Sequence, residues 1–365
     1  MRVVVDARLV SHQRAGIGHY LLSLLASLRE LLGREQLLVL TSRKDPEVVR
    51  RLPDLPTRAL WTPPHHRLEQ LALPLELATI RGDVYHAPDF IPPFVRRVPA
   101  VVTIHDLAFL KWPELLTAQS RRYYGQVARA VRSADRVIAV SARTRDDLIE
   151  LVDAPAHRID VVYEAADARF RPAGAEAVAA VRARLALPER YFLFVGTREP
   201  RKNLRRLLDA YAILADKADS PDLVIVGRTG WLNEDLEGQA GQLGIARRVR
   251  FTGGVADDEL PALYSGATAF VLPSIYEGFG LPTLEAMACQ TPVIASTGGS
   301  LPEVVGDAAL LVDPFDVAGL AGAMQRIWRE PSLRQEMVER GCARARQFSW
   351  RRAAEETLDV YRRAA

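Results

Sequence analysis

Short apolar runs alternate with amphipathic helical patterns along almost the whole chain. Runs rich in Val, Leu and Ile have the composition of strands buried on both faces, and apolar residues at helical spacing follow them. The pattern predicts strands at Val3–Asp6, Gln36–Leu40, Val84–His86, Val101–His105, Val137–Val140, Ile159–Val162, Phe192–Gly196, Leu223–Val226, Val249–Phe251, Ala269–Leu272, Pro292–Ala295 and Ala309–Val312. It predicts helices that include Ile17–Leu32, Ser120–Arg132, Ala142–Leu151 after an N-cap at Ser141, and Trp350–Arg363. A repeated strand–helix order is typical of α/β proteins, so we expect doubly wound, Rossmann-like domains with parallel sheets.

This rhythm is interrupted between Arg169 and Glu189, where Pro172 and Pro188 bracket a stretch rich in Ala and Arg. A chain of 365 residues is long enough for two domains of about 150 residues each. We therefore predict a first domain from residues 1–172, completed by residues 350–365 as a helix that crosses back to it. The second domain is predicted to span residues 188–349.

Composition excludes several functional classes. Hydrophobic residues make up 48% of the chain and charged residues 25%, as in ordinary globular proteins. The net charge of +3 does not indicate a nucleic-acid-binding protein, although residues 1–175 hold 25 basic and 20 acidic residues and are mildly basic. No apolar run approaches the roughly 18 residues of a membrane span, and the start of the chain does not resemble a signal peptide. With two cysteines, Cys289 and Cys342, a disulfide framework or multi-cysteine zinc site is excluded, and we expect a cytoplasmic protein.

The loop after the first predicted strand contains Gly16 and Gly18 and leads into a long helix. Two glycines let backbone N–H groups approach an anion, and the start of a helix favours negative charge. The pattern is not the full dinucleotide-binding fingerprint, so a tight strand-to-helix turn explains it equally well.

The corresponding loop of the second predicted domain contains Arg198 and Lys202. Ligands of doubly wound sheets bind outside the carboxyl ends of the strands, and a planar guanidinium beside a compact ammonium is suited to a diphosphate. Taken alone, a solvated charged loop is the better explanation. Lysine is rare in this chain, however, with four lysines among 48 basic residues, so a lysine within a motif is informative.

The most specific segment runs from Pro273 to Ala288, where a strand ends, a glycine-bracketed turn follows and Pro282 stands near the start of a helix. Glu277 is predicted on the turn and Glu285 in the early helix. Carboxylates at these two places can accept hydrogen bonds from two different groups of hydroxyls on one long ligand. A turn and a helix explain the Gly and Pro residues but not the two acids.

Taken in order, these segments resemble the family 4 glycosyltransferases, retaining enzymes of the GT-B fold that carry two glutamates with seven residues between them. The likeness extends over nearly the whole chain and rests on the Gly16–Gly18 loop, Val101–Asp106, Val137–Ser141, the loop of Arg198 and Lys202, Glu277–Glu285 and Thr297–Val305. Two of its segments look most like bacterial mannosyltransferases of polysaccharide assembly, namely Gly16–Gly18 and Ile104–Phe109.

The resemblance implies roles for individual residues. By this resemblance, Glu277 would accept hydrogen bonds from the sugar hydroxyls and Glu285 would accept them from the ribose hydroxyls. His105 would lie against the transferred sugar. A lone histidine is more often structural, but one at the carboxyl end of a strand is a better functional candidate. The implied catalytic residues are His105, Arg198, Lys202 and Glu277, and the implied donor-binding residues are Gly16, Gly18, Arg198, Lys202, Gly280, Leu281 and Glu285.

Two positions depart from the family pattern. Relatives commonly have Asn-Gly-Val-Asp where this chain has Glu164-Ala165-Ala166-Asp167, so an Asn-Gly turn is lost. Gln290 stands where relatives often have a glycine helix stop, which indicates a different cap. A basic and aromatic stretch from Arg121 to Arg136 is either a surface for an acidic acceptor or lipid head groups, or a solvated helix face, and the solvated face is favoured.

The function implied is retaining transfer of a hexose, with mannose favoured, from a nucleotide-diphosphate sugar such as GDP-mannose to a hydroxyl of a glycan or lipid-linked acceptor. The first domain is expected to hold the acceptor, and a peripheral contact of this mildly basic domain with the inner face of the membrane is the alternative to a wholly cytoplasmic protein. No metal is expected, because no Asp-x-Asp pair occurs and Arg198 and Lys202 supply positive charge. A nucleotide-sugar epimerase of the same architecture is the alternative enzyme, and a catalytically silent nucleotide-sugar binder is the non-enzyme alternative.

Overall fold

The computed structural model describes residues 1–11, 16–66, 68–89, 91–115, 121, 123–217, 219–230 and 235–365. The chain divides into two compact units, Met1–Glu164 with Ser349–Ala365, and Ala165–Phe348. Residues 165–172, assigned to the first domain from the sequence, belong to the second unit because they pack on it. The Phe170 ring meets the Tyr264 ring edge at 5.9 Å, and the Ala173 N–H donates to Ser265 at 3.0 Å.

The first unit contains a parallel sheet of seven strands among its described residues, in the order β3-β2-β1-β4-β5-β6-β7. The strands are β1 Arg2–Asp6, β2 Gln36–Ser42, β3 Thr57–Leu60, β4 Val84–Ala87, β5 Ala100–Ile104, β6 Arg136–Ala139 and β7 Ile159–Val161. Six of them confirm the predicted strands. The sequence analysis missed β3, because this edge strand exposes Thr57, Arg58 and Ala59 and therefore carries no run of apolar residues.

The second unit contains a parallel sheet of six described strands in the order β10-β9-β8-β11-β12-β13. They are β8 Tyr191–Val195, β9 Asp222–Val226, β10 Val249–Gly253, β11 Ala269–Leu272, β12 Val293–Ser296 and β13 Ala309–Val312, and all six confirm predictions. Core strands such as β11 and β12 are buried at every position, as expected for parallel strands covered on both faces.

Helices connect the strands. In the first unit they are α1 Gly16–Leu31, α2 Glu69–Leu77, α3 Ala108–Lys111, α4 Val127–Ser133, α5 Ala142–Val152 and the terminal α14 Trp350–Ala364. In the second they are α6 Ala175–Leu185, α7 Leu204–Ala215, α8 Leu236–Gln242, α9 Leu260–Ser265, α10 Leu281–Ala288, α11 Leu301–Val305, α12 Val317–Arg329 and α13 Pro331–Ala345. Ser141 caps α5 as predicted, accepting from the Thr144 N–H at 3.0 Å. No described helix is long and apolar enough to cross a membrane.

The terminal helix α14 belongs to the first unit, as predicted. Trp350 at its start packs edge-on against Tyr20 of α1, with ring centres 5.8 Å apart. At its other end the Tyr361 hydroxyl lies 2.7 Å from Nδ1 of His86 on β4. Burial lowers the pKa of His86 to about 3, so this histidine is neutral and the contact is an uncharged hydrogen bond within the core.

The cap of α10 corrects an interpretation made from the sequence. Gln290 adopts a left-handed φ of 62°, the conformation that a glycine would supply at this position. The Thr291 N–H donates to the Ala286 carbonyl at 2.9 Å and closes the usual helix-ending motif. The cap is therefore the ordinary one, and the glutamine adopts its left-handed backbone at a cost of roughly 1 kcal/mol.

Candidate functional site

The order of strands places a switch point in each sheet. In the second unit β8 lies between β9 and β11. Strands β9 and β10 follow β8 towards one edge of the sheet, and β11, β12 and β13 follow towards the other edge. At such a point the loops after the two central strands diverge and leave a crevice at the carboxyl ends. The loop after β8 carries Arg198 and Lys202, and the loop after β11 carries Glu277.

Buried polar contacts hold these loops together. The Asn203 side-chain amide donates to the Pro273 carbonyl after β11 at 2.9 Å and to the Pro314 carbonyl after β13 at 2.6 Å. The Ile275 N–H donates to the Arg201 carbonyl at 2.8 Å. Gly299 follows β12 with φ of 66°, and a Cβ there would lie 2.1 Å from the Glu277 carbonyl oxygen. The strand ends are thus locked together, and the Glu277 turn is held rigidly.

Glu277 is buried at the centre of this arrangement, with 6% of its surface exposed. Its Oε1 lies 2.6 Å from the Lys202 Nζ and accepts from the Ser274 hydroxyl at 2.5 Å. Its Oε2 lies 3.0 Å from an Arg201 nitrogen. Burial alone would raise the pKa of Glu277, but Lys202 and Arg201 outweigh it and lower the pKa to about 2. Glu277 is therefore a carboxylate at any physiological pH and can accept hydrogen bonds from a ligand.

Arg201 was not singled out from the sequence. It lies in a 3₁₀ turn, Pro200–Lys202, and its two terminal nitrogens contact different acids, Glu277 at 3.0 Å and Glu199 at 2.9 Å. Glu199 is itself buried. A chain that uses arginine for nearly every positive charge gives no local signal that this arginine is special. Its role depends on Glu277, which is 76 residues away.

Arg198 has different partners from Lys202. It lies 2.7 Å from Glu237 and donates to the Thr229 hydroxyl at 2.5 Å, and its guanidinium lies 5.6 Å from the Phe251 ring centre. Glu237 is 60% exposed, so this ion pair is weak and an incoming anion can displace it. Each cation of the predicted clamp thus has a carboxylate partner in the structure, Lys202 with Glu277 and Arg198 with Glu237.

Glu285 lies one helical element further on, in α10. That helix begins at Leu281 after Gly280, whose φ of 95° sets the turn, and a Cβ there would lie 2.5 Å from a methyl of Leu301. Glu285 accepts from the Tyr264 hydroxyl at 2.8 Å. Burial raises its pKa to about 7, although the Tyr264 hydroxyl and the charge of Arg169 oppose the shift. The two glutamates of one motif thus have opposite pKa shifts, because they have different neighbours.

His105 lies in the first unit, directly after β5. Its Nδ1 is 3.1 Å from a Glu164 carboxylate oxygen, its Nε2 is 3.0 Å from the Pro88 carbonyl oxygen, and the Tyr20 ring meets it edge-on at 4.7 Å. Burial disfavours the imidazolium, but Glu164 outweighs it and raises the pKa of His105. Both ring nitrogens of His105 therefore lie within hydrogen-bond distance of protein acceptors. One of these acceptors, Glu164, stands at a position where this chain departs from the family pattern.

We expect Glu164→Gln to lower the pKa of His105, because the charge that stabilises the buried imidazolium is removed. The measurement is an NMR titration of the histidine ring signals, with His105→Asn as the assignment control. A histidine whose pKa is higher in the folded than in the unfolded protein stabilises the fold below the unfolded pKa, and this contribution is lost as pH rises through the folded pKa. Glu164→Gln should therefore also reduce the free energy of unfolding more at pH 5.5 than at pH 8. An unchanged His105 titration would contradict the assignment.

Gly16 and Gly18 lie in the first turn of α1. A Cβ added at Gly16 would meet no atom of the described residues within 4 Å. The preceding residues, 12–15, lie outside the described residues, and so does Arg122 of the basic stretch. Within that stretch, Arg129 packs over the Phe94 ring at 4.0 Å and Arg136 donates to the His157 carbonyl at 2.8 Å. These two arginines are therefore used within the protein.

Solved structures match this chain over almost its whole length. The chain matches a sucrose-phosphate synthase from Thermosynechococcus elongatus with a TM-score of 0.80 at 24% identity, covering 99% of this chain and 98% of that one. It matches Anabaena HepE in complex with UDP-glucose with a TM-score of 0.80 at 21% identity, covering 98% of each chain. These similarities establish the GT-B fold.

The sequence comparisons are more specific. Family models described as Glycosyltransferase Family 4 and Glycosyl transferases group 1 match residues 14–170 and 180–344. The chain is 38% identical over 283 residues to O-antigen chain mannosyltransferase B of Escherichia coli, covering 76% of this chain and 74% of that relative. It is 38% identical over 284 residues to D-inositol 3-phosphate glycosyltransferase of Salinispora tropica, covering 72% of this chain and 59% of that relative. The chain therefore belongs to the family 4 glycosyltransferases, enzymes of the GT-B fold.

Proposed function

We propose that the protein transfers a mannosyl group from a nucleotide-diphosphate sugar, with GDP-mannose favoured, to a hydroxyl of a glycan or lipid-linked acceptor, with retention at the anomeric carbon. The observation that carries the proposal is the buried Glu277 carboxylate between Lys202 and Arg201 at the switch point of the second sheet. The similarity to a mannosyltransferase supports the choice of sugar.

The contacts support a division of roles among the side chains. Lys202 and Arg198 would leave their present partners to bind the diphosphate, and backbone groups at Gly280, Leu281, Gly16 and Gly18 would assist. Glu277 would accept from the sugar hydroxyls once Lys202 turns to phosphate, and Glu285 would accept from the ribose hydroxyls. Exchange of one anionic partner for another keeps Lys202 paired throughout, so the partly buried ammonium is never left without a counter-charge.

In the proposed reaction, the bond from the anomeric carbon to the diphosphate oxygen breaks as the acceptor oxygen bonds to that carbon from the same face. The acceptor proton passes to the departing phosphate oxygen. Negative charge grows on the diphosphate in the transition state, and cations fixed by the protein stabilise that state more than the ground state. We propose that Lys202 and Arg198 suffice for this, without a divalent metal ion.

The test is transfer from a panel of nucleotide sugars to an α-mannoside acceptor, with and without excess chelator. GDP-mannose should be the best donor, the product should be the α-anomer by NMR, and chelator should leave the initial rate unchanged. A bound nucleotide at about 100 times its Kd should stabilise the protein by about 2.7 kcal/mol. A β-linked product would overturn retention. Activity that is lost on adding chelator and restored by Mg²⁺ would overturn the metal-free mechanism. Conversion of the donor alone into an isomeric nucleotide sugar would identify an epimerase.

A peripheral contact with the inner face of the membrane is also proposed, but at α2 rather than at the basic stretch. Leu71 and Leu75 share one face of α2 and are 70% and 75% exposed, and Leu68, the residue before the helix, is 51% exposed. Trp61 is 70% exposed, and its backbone N–H donates to the Glu76 carboxylate of this helix at 2.9 Å. The Arg43 guanidinium lies 4.3 Å from the centre of the Trp61 ring. Exposed leucines and a tryptophan beside arginine suit an anionic lipid surface.

We expect the double variant Leu71→Ser/Leu75→Ser to sediment at least threefold less with phosphatidylglycerol vesicles than the unmodified protein, because two apolar side chains no longer enter the lipid. Ile213→Ser is the matched control, since Ile213 is 54% exposed but lies in the second unit. Equal sedimentation of the double variant and the control would exclude this surface.

A further inference from the structure

A small pocket lies at the switch point of the first sheet, where β1 is flanked by β2 and β4. It is formed at the carboxyl ends of β1 and β4, and its polar lining comprises Asp6, Arg8, His65, Glu69, Asp89 and Tyr123. This is the place at which doubly wound sheets bind ligands. Pro88, which also lines the pocket, accepts the hydrogen bond from His105 at 3.0 Å, so the pocket adjoins that histidine.

The guanidinium that lines the pocket is already paired. Arg8 is 2% exposed and donates to both carboxylate oxygens of Asp6, at 2.8 and 2.6 Å. It also donates to Glu69 at 2.7 Å and to the Thr62 carbonyl at 2.8 Å. An anionic ligand would have to compete with two carboxylates held in bonding geometry.

Asp89 differs from the other two acids. It is 3% exposed, and its Oδ2 lies 3.0 Å from the His65 Nε2. Its Oδ1 is buried and has no hydrogen-bond partner among the residues that the structure describes. A buried carboxylate oxygen requires a donor, and where no described protein group supplies one, a water molecule or the hydroxyl of a ligand in the pocket can.

The residue that positions Asp89 is held in an uncommon conformation. His65 has a left-handed φ of 59°, and its backbone N–H donates to the Glu69 carboxylate at 2.9 Å. Its ring lies against the Tyr123 ring, with centres 4.0 Å apart. Non-glycine residues in this conformation persist where surrounding contacts require them, and they occur often at ligand sites. Here the contacts fix the imidazole at the wall of the pocket.

The charges decide which ligand fits. Three carboxylates line the pocket against one guanidinium and one histidine among its described residues, so negative charges outnumber positive ones. A phosphate or carboxylate group would meet negative charge at short range, whereas a hydroxyl donates to Asp89 without introducing charge. The first domain is mildly basic as a whole, yet its switch point is acidic.

We propose that this pocket binds a hydroxyl of a neutral sugar in the acceptor, with Asp89 Oδ1 accepting its hydrogen bond, and that it excludes acceptors carrying a phosphate at that position. The inference rests on the proposed glycosyl transfer and names the acceptor class of that reaction. Asp89 is a specificity-determining residue here, because it touches the acceptor and not the donor.

The experiment compares two probes on the protein saturated with GDP: methyl α-1,3-dimannoside and the same disaccharide carrying a 6-phosphate on its non-reducing ring. Calorimetry should give a Kd for the neutral probe at least tenfold lower than for the phosphorylated probe. Asp89→Asn should weaken binding of the neutral probe at least tenfold and narrow the difference in Kd between the probes. The amide oxygen takes the place beside His65, an NH2 donor replaces the Oδ1 acceptor in the pocket, and the repelling charge is lost. The Kd for GDP should stay unchanged.

Asp54→Asn is the matched control. It is the same substitution at an aspartate that is 96% exposed and does not line the pocket. Equal or tighter binding of the phosphorylated probe to the unmodified protein would overturn the proposal, and this comparison needs no variant to fold. Unchanged neutral-probe binding in Asp89→Asn would also overturn it. Binding of the neutral probe without transfer from any nucleotide sugar would instead count against the proposed function and leave this pocket assignment standing.

Discussion

Replacing Lys202 with alanine is expected to slow transfer or weaken donor binding by tens- to thousands-fold. The Lys202 Nζ lies 2.6 Å from the buried Glu277, and removal of one partner of a buried charged contact costs roughly 2–5 kcal/mol. The loss should exceed that of an ordinary phosphate contact, because the buried Glu277 also loses one of its two cationic partners and keeps only Arg201.

Initial rates and the Kd of the free nucleoside diphosphate measure this effect. Lys217→Ala is the matched control, since Lys217 contacts the Gln325 side chain on the surface of the same unit. Lys202→Arg should rescue poorly, because a planar guanidinium cannot replace a compact ammonium that is 12% exposed and in contact with Glu277. A nearly unaffected Lys202→Ala enzyme would show that the diphosphate is held by other cations.

The second large effect is expected at Glu285. Glu285→Ala should weaken nucleoside diphosphate binding at least tenfold at pH 8, since the carboxylate that accepts from the ribose is lost. Glu277→Ala should leave the free nucleotide less affected and chiefly harm transfer of the sugar. Titration of both variants with the nucleoside diphosphate separates the two roles, and equal losses would contradict the division.

The raised pKa of Glu285 predicts a pH dependence of its own. Its pKa is about 7 in the folded protein against an ordinary 4.5, so between these values the folded state retains a proton that the unfolded state releases. The stability contributed by this group therefore falls as pH rises from about 4.5 to about 7, and it is constant above that range. Nucleotide affinity should rise over the upper part of the same range as the carboxylate forms.

Thermal unfolding and nucleotide titration from pH 5 to 8 check both trends, with Glu285→Gln as the variant that cannot ionise. As pH rises, the free energy of unfolding of the unmodified protein should fall relative to that of Glu285→Gln. The nucleotide affinity of the variant should no longer depend on pH over this range. Parallel pH curves for the two proteins would place the titration elsewhere.

Local patterns determined much of the architecture. Apolar runs identified twelve of the described strands, and the N-cap at Ser141 was identified from one hydroxyl after a strand. These features depend on residues close together in the chain, where propensity and burial act directly. The edge strand β3 was missed because an exposed strand needs no apolar run, and Gln290 was misread because neighbouring contacts can impose a left-handed backbone on glutamine.

The sequence by itself also predicted which side chains carry the chemistry, namely Arg198, Lys202, Glu277, Glu285 and His105, since motif and position after a strand are local. Their partners were decided by the tertiary structure. Arg201 pairs with Glu277 across 76 residues, His105 with Glu164 across 59, and His65 with Asp89 across 24. A pKa depends on burial and on charges within a few ångströms, and chain distance does not reveal either. For that reason two glutamates of one short motif, equivalent on paper, differ in the fold, with pKa values of about 2 and about 7.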